Sequence, residues 1–361
     1  MANRSEAPAA RPHGPSADPR LRGSWLARGK EGRFSLYLPR DGGVVRWTEN
    51  AGGGWSGPVP IGGGSGGLLP SLSVGQGADG YVHLVGLRSV AGGEPDRVEL
   101  VHSTQYQTGR PALEWRSITH PNGAAHQWTG TPSVTVDGIG RAYVFCRNGG
   151  GGISVRAQKD AGGWHPWWDL LGSKTDPLPV AVTNGSGFVE LYSSHAAGLV
   201  RYVQRESGAK PLREELLPAP VTMGTMAAVQ GPSGHVTAFY LDKEGRVCAW
   251  SPERALEPVP LGGAVGEGPL SVVRRSVDGL DHTLLAQRDS SGRMLFASYP
   301  AEREGTELRW TPSGPAVQGP PVLAGDASGT VVAAAVAPGG EPIVAGREAG
   351  TGLLPGTWTR I

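Results

Sequence analysis

The sequence predicts an all-β protein, a single seven-bladed β-propeller of four-stranded antiparallel blades, and three observations carry that reading. First, seven short runs each follow a glycine: GRFSLYL from Gly32, GYVHLVG from Gly80, GRAYVFC from Gly140, GFVELYS from Gly187, GHVTAFY from Gly234, GLDHTLLA from Gly279 and GTVVAAAV from Gly329. Neighbouring glycines of this set stand 45 to 50 residues apart, with one longer interval of 60 between Gly80 and Gly140. Second, every unit repeats the same four pieces in the same order. Third, 58 glycines and 31 prolines sit beside 38% hydrophobic residues and 11 tryptophans, which joins many tight turns to enough apolar material for a core. Four short antiparallel runs in a unit of about 40–50 residues, bounded by turn residues, mark a propeller blade.

Within a unit, the first run opens with Pro, Ser or Thr, as in LPSLSVG, TPSVTVD, LPVAVTN and PPVLAGD, and the glycine-led run comes second. A turn follows, RDGG, RNGGGG, SHAAG, DKEG or RDSSG, and leads into a third run such as VVRWTE, ISVRAQ, LVRYVQ, RVCAWS or RMLFAS. The fourth run is short, carries Trp in most units and ends in Gly or Pro, as in GGWSGPVPIGG and GGWHPWWDLLG. These runs alternate at period two, and breakers arrive too often for long helices. The first unit begins at GSWLARG and the seventh ends at TWTRI, so the last blade is expected to close on the first without a strand exchanged between the termini. A shift of one strand at that seam is the alternative.

Residues 1–22, MANRSEAPAARPHGPSADPRLR, are expected to form a disordered tail, and residues 23–361 the propeller. The tail lacks the apolar run of a secretory signal, which predicts a soluble cytoplasmic protein, or a secreted one if a signal was removed before this numbering. No stretch is long enough to span a bilayer. Lys+Arg 33 against Asp+Glu 32 leaves a net charge of +1 without a basic block, so nucleic acid is not an expected partner. Cys146 and Cys248 fall in well-separated units and are expected to be two buried thiols.

In the fourth run of the third unit, GGWHPWWDLLG, three tryptophans stand within five residues, Trp164, Trp167 and Trp168. Trp55, Trp115, Trp310 and Trp358 recur in fourth runs elsewhere, and packing between blades is their expected role. Adjacent strand residues point to opposite faces, so Trp167 and Trp168 cannot both enter one seam. One of them is free to meet solvent or a ligand.

The phrase FCRNGGGG followed by GGWHPWWDLLG resembles the seven-bladed bacterial lectins of the Photorhabdus type and, more distantly, tectonin-like propellers. The first unit, RDGGVVRWTENAGGGWSGPVPIGG, resembles them less closely, and the other units share only spacing and strand pattern. The resemblance implies sugar binding between neighbouring blades, with tryptophan faces against a pyranose. On matching positions it points to Arg147, Asn148, Trp164, Trp167 and Trp168 in the third unit and to Arg40, Trp47 and Trp55 in the first. Units four, five and seven have lost the pattern, so one or two such sites are expected rather than a ring of them.

Antiparallel order places the turns between second and third runs on the same face as the connections between blades. That face would carry Arg40, Arg88, Arg147 and Arg288, four guanidinium forks at equivalent positions, suited to a carboxylate or phosphate. The pairs Arg40-Asp41 and Arg288-Asp289 also suggest plain local neutralisation. The longest connection, THPNGAAHQWTG, would bring His120, His126 and Trp128 there, and His195 lies in a fourth-unit turn. These histidines are the candidates for general acid or base chemistry. His83, His102 and His282 fall on strands and read as packed imidazoles.

No His-x-x-x-His or Cys-x-x-Cys pattern suggests a metal, and no phosphate loop, dinucleotide fingerprint or Gly-x-Ser-x-Gly elbow suggests a cofactor or an esterase. TENAGGGW and QKDAGGWHPW are partial echoes of the Asp-box of sialidase propellers, without its leading Ser, and a paired-carboxylate assignment is lacking. The sequence therefore predicts first a non-catalytic module for a carbohydrate or glycosylated small molecule. The alternative is an intracellular lyase, cyclase or hydrolase with one site at the channel mouth, built from His120, His126, His195 and the loop arginines. A protein-interaction scaffold is the third reading.

Overall fold

The computed structural model describes residues 20–62, 67–90, 97–123, 130–266, 268–325, 331–346 and 356–361. The described residues form β-strands, turns and irregular segments, and none forms a helix long and apolar enough to cross a membrane. Seven antiparallel sheets follow one another along the chain. From the innermost strand outwards, blade 1 consists of Leu26–Arg28, Phe34–Arg40, Gly43–Glu49 and Trp55–Pro60. Blade 2 consists of Leu68–Gln76, Val82–Ser89, Val98–Gln105 and Arg116–Ser117. Blade 3 consists of Ser133–Val136, Ala142–Arg147, Ile153–Ala157 and Trp168–Asp169. In blade 4, Val180–Thr183, Val189–His195 and Gly198–Val203 are followed by an outer strand in two pieces, Leu212–Arg213 and Leu217–Pro218. Blade 5 runs through Ala227–Gln230, Val236–Leu241, Arg246–Trp250 and Val259–Gly263. Blade 6 runs through Ser271–Val277, Leu280–Arg288, Arg293–Pro300 and Thr311–Ala316, and blade 7 through Gln318–Gly325, Val331–Val336, Pro342–Ala345 and Trp358–Arg360.

The first runs explain their hydroxyl residues. Ser73 Oγ accepts the Val134 backbone N–H at 3.0 Å, Ser133 Oγ that of Ala181 at 2.9 Å, and Ser271 Oγ that of Leu323 at 3.2 Å. Each bond runs from one blade's innermost strand to the next and satisfies a channel-edge donor that the sheet leaves unpaired. The middle strands carry the apolar core. Phe34, Leu36, Leu84, Tyr143, Phe145, Leu191, Phe239, Leu285 and Ala333 are buried from solvent, and apolar clusters fill the seams between blades.

Several hairpins are closed by the same device, an Asp or Asn whose side chain accepts N–H groups further along its own turn. Asp137 Oδ1 takes the N–H groups of Ile139 and Arg141, Asn184 Oδ1 those of Ser186 and Phe188, and Asp242 Oδ1 those of Glu244 and Arg246. Two glycines in the Asn184 turn have separate reasons. Gly187 has φ +80°, and Gly185 lies so close to Gly234 of blade 5 that a Cβ would overlap its backbone. The Gly185 N–H donates to the Gly234 carbonyl at 2.8 Å, and Gly138 does the same to Gly187 at 2.9 Å. These turns therefore link blades 3, 4 and 5 in succession.

The ring closes as expected, with Trp358–Arg360 outermost in blade 7 and no strand exchanged into blade 1. One apolar cluster joins Trp25, Leu36 and Trp47 to Leu72 and Leu84 of blade 2 and to Val322, Ala334 and Val344 of blade 7. The tail boundary differs from expectation. Arg20–Gly23 is a strand, parallel to Leu68–Gln76 on its channel side, with Arg20 opposite Ser71 and Gly23 opposite Val74. The inner strands of neighbouring blades share one direction, so a segment entering along the channel meets blade 2 in parallel register, a pairing that period-two reading of one strand cannot reveal. Both cysteines are buried free thiols.

Candidate functional site

The fourth-run tryptophans divide by the direction in which they pack. Trp115 Nε1 donates to the Ile61 carbonyl of blade 1 at 3.3 Å, Trp310 Nε1 to the Gly263 carbonyl of blade 5 at 2.9 Å, and Trp167 Nε1 to Thr119 Oγ1 beside blade 2 at 3.1 Å. All three reach back to the preceding blade. A Cβ on Gly62 would overlap the Trp115 ring, and one on Gly314 the Trp358 ring, so the glycines ending the outer runs are seats for the next indole. Trp167 belongs to this packing set, with Arg156 6.0 Å from its ring centre and also bonded to Thr119 Oγ1 at 2.9 Å.

Trp168 points the other way. Its partly buried ring packs into the seam of blades 3 and 4 with Tyr143, Leu170, Leu191 and Tyr202, whereas Trp164 and Trp167 lie on the seam of blades 2 and 3. The opposite-face expectation for Trp167 and Trp168 is met. Its consequence is that the five residues expected to act together in blade 3 split between two seams, because strand alternation sends adjacent rings to opposite sides.

Around Trp168 stand His165, its ring centre 5.1 Å away, and Asp169, whose carbonyl accepts Lys210 Nζ at 2.9 Å. Asp169 Oδ1 accepts the Leu171 N–H at 2.8 Å and Asn148 Nδ2 at 3.3 Å, which draws the blade 3 turn toward the same edge. The Trp168 indole N–H has no hydrogen-bond partner among the described residues. The edge thus combines a partly exposed aromatic face, a carboxylate, an ammonium, an imidazole and an amide.

The other seam holds a histidine pair. Trp164 meets His102 edge-on at 5.1 Å, and His102 Nε2 lies 3.0 Å from His83 Nδ1. Burial pushes His83 down to about 4 and His102 down to about 3, the latter further lowered by His83. Both are neutral packed imidazoles near pH 7, as their strand positions suggest.

Most of the arginines serve the scaffold. Arg40 Nη2 donates to the Gly340 carbonyl of blade 7 at 3.0 Å, and its guanidinium lies 5.7 Å from the Trp47 ring centre. Trp47 is 3% exposed, so the expectation that it offers a face to a ligand is corrected: alternation turns it into the core. Trp55 is partly buried against the same cluster. Arg88 pairs with Glu99 at 2.5 Å. Arg147 and Arg288 fold alike over the glycine four residues on, Gly151 and Gly292, and each buries an Nε without a partner. The turn Asp of blade 6 is neutralised by Arg293, at 3.5 Å, rather than by the preceding Arg288.

Of the histidines expected at a channel mouth, the described ones stand away from the channel cavity. That cavity, about 440 Å³, is lined by the inner strands, among them Ser24, Val74, Thr135, Val182, Met226 and Val322. Neither His120 nor His195 lines it, and among its described lining residues there is no Asp, Glu, Lys, Arg or His. His120 is 5% exposed and its Nδ1 accepts the Asn122 N–H, while His195 Nδ1 accepts the Ala197 N–H at 3.0 Å. His126 and Trp128 lie outside the described residues. The residues that the sequence singled out for acid–base work are therefore buried or tied into turns where they are described.

A feature not anticipated is a polar cleft of about 380 Å³ on the opposite face, between blades 4 and 5. Asn184, Glu190, Gln230, Ser233, His235 and Glu253 line it. Behind it, Glu190 accepts Asn184 Nδ2 at 2.8 Å, the Tyr192 hydroxyl at 2.7 Å and Arg201 Nε at 2.9 Å, and Arg201 also pairs with Glu253. The signal available in sequence was Glu190 itself, a carboxylate inside the otherwise apolar run GFVELYS. No three-ligand grouping of His, Cys, Asp and Glu suited to a metal exists among the described residues.

No family model matches the chain, and no curated protein matches it either. Solved structures do. The BP39L lectin from Burkholderia pseudomallei superposes with a TM-score of 0.70 at 13% identity, over 94% of this chain and 99% of that one. The fucose-specific lectin from Aleuria aurantia gives 0.53 at 12% identity, over 82% of this chain and 96% of that one. The NanB sialidase from Streptococcus pneumoniae gives 0.51 at 10% identity, over 73% of this chain and 64% of that one. At such identities the likeness is one of fold, a propeller shared by sugar-binding and sugar-cleaving proteins.

Proposed function

We propose that the protein is a non-catalytic carbohydrate-binding propeller whose ligand site lies at the outer edge of blade 3 facing blade 4. The observation that carries this reading is Trp168, an indole with a partly exposed ring, no hydrogen-bond partner for its N–H among the described residues, and a direction opposite to that of Trp115, Trp167 and Trp310. A pyranose presents an apolar C–H face to such a ring and hydroxyls to the groups around it. Asp169, Lys210, His165 and Asn148 supply acceptors and donors at that edge. The lectins named above support the ligand class, and blade 3 is also where the phrase resembling the Photorhabdus-type lectins is best kept.

The test is a glycan array with isothermal calorimetry on the purified protein beside the Trp168→Ala variant. Saturable sugar binding lost in the variant supports the reading. Binding unchanged by the substitution, or silence across glycans, overturns it.

A further inference from the structure

Strand alternation sorts the outer edge of blade 4 by charge. Arg213 stands opposite Tyr202 in the pairing of Leu212–Arg213 with Gly198–Val203, and opposed residues of an antiparallel pair share a face. Tyr202 belongs to the seam of blades 3 and 4, so Arg213 faces blade 3. Its neighbour Glu214 turns the other way and pairs with Arg201 at 3.4 Å and with Arg205 at 2.5 Å. The acid is thereby engaged at the far seam, and the cation is left at the near one.

Lys210 reaches the same place from the loop before the strand. Its Nζ donates to the Asp169 backbone carbonyl at 2.9 Å, and Arg213 Nε lies 3.7 Å from the position that a Cβ on Gly172 would take, beside the Tyr202 hydroxyl. Burial raises the Tyr202 phenol, and the Arg213 guanidinium beside it draws it back. The two cations thus bracket residues 169–172, the stretch that follows Trp168 in blade 3. Both are exposed, and among the described residues neither forms an ion pair. One carboxylate, that of Asp169, stands against them, and its Oδ1 is held by neutral donors, the Leu171 N–H at 2.8 Å and Asn148 Nδ2 at 3.3 Å. Glu215, beyond the paired stretch, is exposed and pairs with neither cation.

We infer that this edge selects an acidic saccharide, its ring on Trp168 and its carboxylate between Lys210 and Arg213; the inference rests on the sugar site proposed above. A guanidinium offers a planar fork that matches a carboxylate, and an ammonium adds a compact charge. At an exposed site such contacts are screened by salt. Their signature is therefore a charge-dependent and salt-dependent affinity laid over charge-independent stacking on the indole.

The test is a glycan array carrying neutral oligosaccharides, uronate and sialate oligosaccharides, and the same acids as methyl esters, with calorimetric titration of the strongest binder. It is run on the wild type, Trp168→Ala and Lys210→Gln/Arg213→Gln. The strongest binders should carry a free carboxylate, and each should bind about tenfold more weakly as its methyl ester. Added salt should weaken the acid more than the ester, and in the double variant acid and ester should bind alike. The acid–ester comparison on the wild type holds whether or not the double variant folds. Neutral glycans as the strongest binders, equal affinity for acid and ester, or an acid preference that survives in the folded double variant overturns the inference, and leaves the sugar site standing where Trp168→Ala still abolishes binding. Binding that survives Trp168→Ala, or no binding to any glycan, overturns the site itself and the inference with it.

Discussion

Arg40 Nη2 donates to the Gly340 carbonyl at 3.0 Å, a bond between residues 300 positions apart that joins blade 1 to blade 7 where the ring closes. The guanidinium also lies over Trp47. A charged hydrogen bond and a cation–π contact contribute about 2–4 kcal/mol together. Arg40→Ala is therefore expected to lower the denaturation midpoint while leaving any blade 3 ligand affinity unchanged. Urea titration and calorimetry on the same variant check both halves; a variant that loses affinity but not stability would restore Arg40 as a ligand contact.

Trp168 and Trp115 should separate binding from stability. Trp115 reaches back to the Ile61 carbonyl and sits where Gly62 makes room, so Trp115→Ala should cost about 3 kcal/mol or more in cavity and lost contacts. Trp168→Ala should cost less and remove sugar binding. Equal destabilisation by the two in thermal unfolding, with sugar binding kept in Trp168→Ala, would mean that the Trp168 ring serves its seam alone.

Gly62 and Gly53 isolate the seat from the turn. Their φ values, +75° and +86°, impose on any Ala the same left-handed cost, about 1–2 kcal/mol. A Cβ at Gly53 meets open space, whereas one at Gly62 meets the Trp115 ring. Gly62→Ala should lower stability by clearly more than Gly53→Ala, and the Trp115→Ala background should shrink that difference. Additive effects in the double variant would contradict the contact.

The buried pair His83 and His102 makes stability depend on pH. With native values held at about 4 and about 3 against an ordinary 6.5, the unfolded chain takes up protons first as pH falls. Stability contributed by the neutral pair is complete above pH 6.5, declines as pH falls toward about 4, and levels off below about 3. The slope approaches about 1.4 kcal/mol per pH unit for each ring once the unfolded imidazole is protonated. Urea midpoints between pH 7 and 5 should fall in wild type and fall less in a His83→Gln/His102→Gln variant. An unchanged slope would assign the acid sensitivity elsewhere.

Arg201 holds Glu190 at 2.8 Å with both side chains almost fully buried. Removing the cation leaves Glu190 buried without its counter-charge, so Arg201→Met should cost about 3–5 kcal/mol. Adding Glu190→Gln should recover part of the loss. Failure of the second substitution to rescue any stability would show that the cost lies in packing.

The sequence by itself determined the blade. A glycine with φ +80° before Val189–His195, the hydroxyls of Ser73 and Ser133, the turn acids Asp242 and Asp289 and the alternation of apolar residues are local devices, each readable within a few residues because turns and strands are settled at that range. Alternation even separated Trp167 from Trp168. Only the tertiary structure decided which seam each ring entered, that Trp47 was core, that Arg40 spanned to Gly340, and that Arg20–Gly23 paired with blade 2. The polar cleft of Glu190, Ser233 and Glu253 likewise exists only between blades. Those outcomes depend on contacts between units tens to hundreds of residues apart. A repeat repeats its own fold, whereas its neighbours decide what each repeated position meets.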